Sequence, residues 1–310
     1  MRVFLAGATG VIGRPLIPML VQAGHEVTGM TRSPEKHEQL RAAGATPVVA
    51  DALDADAVRA ALLASRPDAV IHQLTALPSR IDPRKMAHDF ALNDRLRSEG
   101  THILVDAALA AGATRVLAQS IAFAYAPGPP GTLHAEEDPL YTDAPEPFRR
   151  SARALAELER AVAAAGGTAL RYGYFYGPGS AFSSHGSMGQ DVARRRMPIV
   201  GGGEGVWSFI HVEDAARATV AALTGGGSPA YNIVDDDPAP VARWLPALAE
   251  ALGAPRPLRV PAFIARPLAG SYGIATMTRA QGASNALARR ELDWAPRPAS
   301  WREGFRTSLG

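Results

Sequence analysis

The stretch GATGVIG, residues 7–13, sets glycines at every third position, Gly7, Gly10 and Gly13, close to the start of the chain. Before it runs VFLA (residues 3–6), a short unbroken apolar segment of the kind a buried parallel strand presents. After it, Pro15 stands where the first turn of a helix accepts proline. Leu16, Ile17, Leu20 and Val21 follow at helical spacing, and Gly24 closes the element. The glycines therefore lie between a buried strand and a helix N-terminus, where unpaired N–H groups and partial positive charge attract phosphate. Gly7 suits the tight turn, Gly10 leaves room for a pyrophosphate against the backbone, and Gly13 lets the helix pack on the sheet. An ordinary strand-to-helix turn is the plain alternative, but the flanking elements supply the context of a dinucleotide loop.

The alternation continues along the chain. Strands are predicted over 25–30, 46–50 (TPVVA), 69–73 (AVIHQ) and 115–119 (RVLAQ), with a sixth ending at Leu170. Alanine-rich helical segments separate most of them. This order predicts an α/β fold, a Rossmann-type doubly wound parallel sheet with its ligand at the carboxyl ends of the strands. The clusters APGPPG (126–131) and GGGEG (201–205) read as loops, either at the ligand end or as mobile surface segments.

Composition bounds the remaining possibilities. In 310 residues, 47% are hydrophobic and 20% charged, with a formal net charge of +2, too even a balance to suggest nucleic acid as a partner. Cysteine is absent, which removes disulfides, thiolate nucleophiles and thiolate metal sites, and no metal is expected. No signal peptide is read, and no apolar run reaches the roughly 18 residues of a membrane span. The expectation is a cytoplasmic protein with a small-molecule substrate, no membrane or nucleic-acid partner, and a monomeric or homodimeric state.

The second strand is followed by GMTRSPEK (29–36), where an NAD-binding chain usually carries an acid for the ribose 2′-hydroxyl. Here Arg32 stands instead, and a guanidinium suits a 2′-phosphate. Arg14 is placed to assist. The expected cofactor is NADP(H), with NAD the alternative. Asp51, with Ala52 beside it at the end of the third strand, is placed for the adenine amino group; a turn or helix cap is its plain role.

Together with GATGVIG, the segments VIHQLTA (70–76), RVLAQSIAFAYAP (115–127), LRYGYFYGPGS (170–180) and FIHVEDAARA (209–218) resemble the extended short-chain dehydrogenase/reductase family, also called the NAD(P)-dependent epimerase/dehydratase family. YNIVDDDP (231–238) and NALARRELDWAP (285–296) fit its C-terminal part. The resemblance implies a dinucleotide lobe over 1–170 with a returning segment near 206–236, and a smaller substrate lobe drawn mainly from 171–310. It implies a pyrophosphate on Thr9, Gly10, Val11 and Ile12, and riboses beside His72, Gln73, Leu74 and Thr75. It places Ser120 near the nicotinamide, with Tyr172–Gly173–Tyr174 bordering nicotinamide and substrate. His211 and Asp214 are expected to be structural, opening the helix behind that pocket.

The family's chemistry rests on Tyr-x-x-x-Lys, in which the lysine lowers the tyrosine's pKa and the tyrosine moves the substrate's proton. FRRSARALAELERAV (148–162) lacks it. One register puts Ser151 and Leu155 at the two places, the other Arg149 and Arg153; the first also keeps Val162 on the buried face. Arg97 occupies a place where many members have asparagine. This looks like an atypical branch of the family. Ser120, Tyr172 and Tyr174 are the candidate catalytic groups, with Tyr172 preferred among the tyrosines as the first to leave its strand. Ile121 could equally occupy the family's serine place. Tyr125 and Tyr176 lie in the same segments, and these aromatics could instead wall a ring-bearing substrate. Arg149, Arg150 and Arg153 read as a solvated face or an anion site.

The resulting expectation is an NADP(H)-dependent oxidoreductase of a small carbonyl or alcohol. The alternatives are a nucleotide-sugar epimerase or dehydratase with bound NAD(P), which the missing dyad disfavours, and a non-catalytic NADP(H)-sensing protein.

Overall fold

The computed structural model describes residues 1–82 and 85–309. Its centre is a parallel sheet of β1 (Arg2–Ala6), β2 (Glu26–Thr31), β3 (Ala45–Val49), β4 (Ala69–His72), β5 (Arg115–Ile121), β6 (Thr168–Tyr172) and an edge strand, Ala230–Ile233. The spatial order is β3-β2-β1-β4-β5-β6 and then the edge strand, so the chain reverses direction across the sheet beside β1. Phe4 of β1 sits between Thr28 of β2 and Val70 of β4, which brings the carboxyl ends of β1 and β4 side by side.

Helices cover both faces. Gly13–Gln22 and Val212–Thr224 pack together on one face, burying Leu16, Ile17 and Leu20 with Ala215, Ala218 and Ala222. Val21, although at helical spacing, is exposed. Ala55–Ser65, Glu99–Ala110 and Arg149–Ala164 cover the other face through Val58, Leu62, Leu104 and Leu158. A separate aromatic cluster of Phe182, Trp207, Phe209, Trp244, Trp301 and Phe305 forms the core of the C-terminal part. Among the described residues, no helix is long and apolar enough to cross a membrane.

Two strands run two residues past the sequence reading: β5 continues from Gln119 to Ile121, and β6 continues likewise. β6 does not end at Leu170 but runs through Arg171 to Tyr172, pairing Ile121 with Tyr172 on one side and Tyr172 with Ile233 on the other. A buried arginine interrupts the apolar pattern, and only a partner from another element lets the strand continue through it. That partner is Glu159.

The turn after β1 is set by contact with β4. Gly7 has φ +91, and a Cβ there would stand 2.5 Å from the carbonyl oxygen of Gln73. Gly24, at φ +81, has nothing within 4 Å of the same position. Gly24→Ala should therefore lose only the left-handed backbone penalty, about 1 kcal/mol, whereas Gly7→Ala should lose clearly more. Urea unfolding of the two variants beside the parent measures the difference, and equal losses would mean that the β1–β4 approach does not constrain the turn.

Candidate active site

The loop between β1 and its helix carries free donors. The Gly10 amide donates to the Gly7 carbonyl at 3.0 Å, but among the described residues the Val11 and Ile12 amides have no acceptor in the chain. Ile12 begins the helix with no side-chain cap. Gly13 is needed for a reason other than packing on the sheet: a Cβ there would run into the carbonyls of Ala8 and Gly7, within the loop itself. A bare, donor-rich turn at a helix start fits a pyrophosphate. Thr9 presents its carbonyl to Arg14 Nε at 3.3 Å, which draws that guanidinium toward the loop.

The neighbouring strand ends carry the other predicted contacts. Arg32 follows Thr31 at the end of β2, exposed and without a partner among the described residues. Asp51 uses one oxygen to accept the Leu53 amide at 3.0 Å, the turn role, and Ala52 behind it is buried. Gln73 is buried at the end of β4. Its Nε2 donates to the Tyr172 hydroxyl at 2.9 Å, and its Oε1 has no partner. Leu74 is half-buried and Thr75 exposed. His72 Nδ1 accepts the Leu74 amide at 3.2 Å, so Nε2 carries the proton and donates to Thr101 Oγ1 at 3.1 Å.

On the helix Arg149–Ala164, Ser151 and Leu155 are both buried, while Arg153 is exposed and reaches back to the Thr142 carbonyl. Leu155 packs with Ile121, Phe148 and Ala152 in an apolar cluster. Ser151 lies next to Asp94 of the helix Ala91–Arg97 and favours its carboxylate form. The chain has only two lysines, Lys36 and Lys85, and no tyrosine is followed four residues later by either.

The three candidate catalytic groups fare differently. Ser120 is wholly buried and donates to Glu159 Oε1 at 2.6 Å. Glu159 in turn holds Arg171 through two hydrogen bonds of 2.9 and 2.6 Å, and Arg171 donates to the Tyr125 hydroxyl at 2.7 Å. The Tyr125 hydroxyl donates to Asn232 of the edge strand at 2.6 Å, and burial pushes it up to about 12. Tyr172 requires a correction: it closes β6 rather than leaving it. It has no exposed surface, and its hydroxyl is taken by Gln73 and by Thr219 at 2.7 Å. Burial raises it to about 12, which suits a strut rather than an acid. Tyr174 alone of the three has a hydroxyl without a hydrogen-bond partner among the described residues. Burial lifts its pKa well above 10, so it stays protonated.

Tyr174 also belongs to an aromatic wall that sequence reasoning did not assemble. Its ring stacks on Phe123 and on Trp207, each at 4.1 Å between centroids. Phe148 and Tyr272 stack beside them at 4.4 Å. These residues come from five distant segments, so no local spacing announces them. Tyr176, by contrast, is sealed in the C-terminal core against Phe305. His211 caps the helix Val212–Thr224, and the fully buried Asp214 pairs with Arg217 and accepts the Arg297 amide at 2.7 Å.

The profile of the NAD dependent epimerase/dehydratase family matches residues 3–233. The chain belongs to that family. It is accordingly an NAD(P)-dependent enzyme of the oxidoreductase type. A 3-diazoavenalumate denitrifying reductase from a Streptomyces species is 47% identical over 98% of this chain and 99% of its own. Two UDP-glucose 4-epimerases share the fold at a TM-score of 0.77: that of Thermotoga maritima with UDP-glucose is 21% identical, covering 100% of this chain and 97% of its own. That of Thermus thermophilus in complex with NAD is 24% identical, covering 100% and 98%.

The buried His72 generates a pH prediction. Burial, with the Arg97 charge adding to it, lowers His72 to about 4, against about 6.5 when unfolded. Between those values the unfolded chain binds the proton and the folded one does not, so stability falls as pH drops below about 6.5. Unfolding by urea at pH 7 and pH 5 should show about 2 kcal/mol of this loss in the parent, absent from His72→Asn. An unchanged pH difference in the variant would assign the slope elsewhere.

Proposed function

We propose that this protein is an NADP(H)-dependent reductase whose substrate accepts hydride without needing a proton from the protein, with an aromatic diazo compound as the substrate class. One observation carries the reading. In the register that keeps Val162 buried, the places of the family's proton-moving dyad fall on Ser151 and Leu155, the first beside Asp94 and the second packed in an apolar cluster. Ser120 and Tyr172 are bonded elsewhere and buried. Hydride reaching a carbonyl leaves an oxyanion that demands a donor. A diazonium group that accepts hydride yields R–H and N2, with NADPH oxidised to NADP+, and leaves no oxyanion at the reacting centre. The 47% identity to a diazo-compound reductase along nearly the whole chain supports the same class.

The chain's own residues divide the work. The Val11 and Ile12 amides, with Gly10 beside them, would hold the pyrophosphate, and Arg32, with Arg14, would take the 2′-phosphate. Asp51 would use its remaining oxygen on the adenine, and the Gln73 Oε1 would accept from a ribose hydroxyl. Bound NADPH would supply the hydride. Phe123, Tyr174 and Trp207 would stack the substrate ring and exclude water around it. A small carbonyl is the second reading, favoured by the free Tyr174 hydroxyl, which could donate a hydrogen bond to a developing oxyanion.

Arenediazonium salts test the first reading directly. NADPH oxidation should be matched one to one by N2 release, and Tyr174→Phe should leave the rate within about threefold. Turnover of ketones or aldehydes without diazo turnover, with a loss of about 100-fold or more in Tyr174→Phe, would establish the carbonyl reading instead. For the cofactor, a charge-assisted hydrogen bond contributes roughly 1.5–3 kcal/mol, so Arg32→Ala should weaken NADPH about ten- to hundred-fold and spare NADH. Calorimetry that shows both weakened equally would remove Arg32 from the 2′-phosphate site.

A further inference from the structure

Arg97 ends the helix Ala91–Arg97, which packs against the helix Arg149–Ala164. Only 5% of the residue is exposed. Among the described residues its guanidinium has no hydrogen-bond acceptor and no ion pair within 4.0 Å. Buried arginines are ordinarily paired, because five donors taken out of water without acceptors are costly. Arg171 in this same chain shows the usual solution, with Glu159, Tyr125 and the Glu136 carbonyl all in contact. Arg97 has none of this.

The charges around Arg97 do not neutralise it. Asp94, one turn earlier, is the one acid that interacts with it electrostatically. Asp94 is itself buried, lies beside Ser151, and leaves its Oδ1 without a partner among the described residues. Burial raises the Asp94 pKa and so opposes its charge. His72, the other titratable neighbour, is neutral at physiological pH. The guanidinium therefore stands within electrostatic reach of Asp94 and His72, on the helix that packs against Arg149–Ala164, with unused donors and a charge that Asp94 offsets only in part. The family's lysine would approach the reacting centre from the helix Arg149–Ala164; here a cation comes to the same region from the helix opposite.

We propose that Arg97 is a specificity residue that binds an oxyanion of the substrate, a carboxylate or a phenolate, within the aromatic-walled site. A planar fork of donors matches an oxyanion better than a neutral hydroxyl does, so the ribose of the dinucleotide is the weaker occupant. The assignment rests on the reading of this site as a dinucleotide and substrate site. It adds that the substrate is an anionic aromatic.

Equilibrium binding to the full chain saturated with NADP+ tests this without turnover. The probes are benzoate with its neutral counterpart methyl benzoate, and 4-nitrophenolate with 4-nitroanisole. The parent should bind at least one anion tenfold or more tightly than its neutral counterpart, and the pair that shows the preference identifies the oxyanion as carboxylate or phenolate. Arg97→Met should abolish that preference while binding NADP+ within about threefold of the parent. Arg97→Lys, which keeps the charge, should retain part of the preference and guards against a folding defect in the methionine variant. No preference in the parent, or a preference that survives in folded Arg97→Met, overturns the proposal while leaving the dinucleotide site intact. Loss of NADP+ affinity in folded Arg97→Met and Arg97→Lys, with the preference for anions kept, would reassign Arg97 to the cofactor. Failure of the parent to bind NADP+ at all would overturn both this proposal and the reading beneath it.

Discussion

The buried pair Glu159–Arg171 organises the carboxyl end of the sheet. Arg171 sits within a strand that is buried on both sides, and without a partner its charge would break that strand. Glu159, reaching in from the helix Arg149–Ala164, supplies two hydrogen bonds and also accepts from Ser120 of β5. The remaining Arg171 donors hold Tyr125 and the Glu136 carbonyl, and Tyr125 extends the network to the edge strand through Asn232. One ion pair thus joins β5, β6, a helix, the loop after β5 and the returning strand. Removing one partner from such a pair strands the other, at a cost of roughly 3–5 kcal/mol.

This network bears on function by what it occupies. Ser120 is committed to Glu159, and Tyr172, at the end of the strand that the pair makes possible, is committed to Gln73 and Thr219. Those two hydroxyls are therefore committed to the fold. What remains for chemistry is a donor-rich phosphate loop, an aromatic wall that includes the Tyr174 hydroxyl, and a cation without acceptors among the described residues. That inventory is what supports the proposal of an enzyme that positions a flat, anionic aromatic and leaves proton transfer out of the step.

The phosphate loop was the most legible part of the chain. Gly7, Gly10 and Gly13 act over a few residues, and their strand and helix neighbours follow immediately in sequence, so local pattern and tertiary role coincide. The parallel strands were legible for the same reason, since each is a short apolar run. The end of β6 was not: Arg171 reads as a terminator until Glu159, twelve residues earlier on a helix, is brought against it. Gly13 was legible as an obligatory glycine, but its reason, contact with carbonyls of its own loop, required coordinates. The wall of Phe123, Phe148, Tyr174, Trp207 and Tyr272 left no short-range signal, because stacking depends on which segments meet and not on their spacing along the chain.

The doubly wound α/β fold, the dinucleotide loop and the absence of a tyrosine–lysine dyad follow from the order of residue types, because each depends on which residues stand near one another in the chain. Which polar groups are free follows instead from packing. Ser120, Tyr172 and Tyr174 look alike as hydroxyls in neighbouring motifs, and Arg97 and Arg171 look alike as arginines in apolar surroundings. Hydrogen bonds to residues tens of positions away commit Ser120, Tyr172 and Arg171 to the fold, whereas Tyr174 and Arg97 have no such partner among the described residues. A side chain's chemistry is settled by the partners it lacks as much as by its own atoms, and those partners are assembled only when distant segments pack.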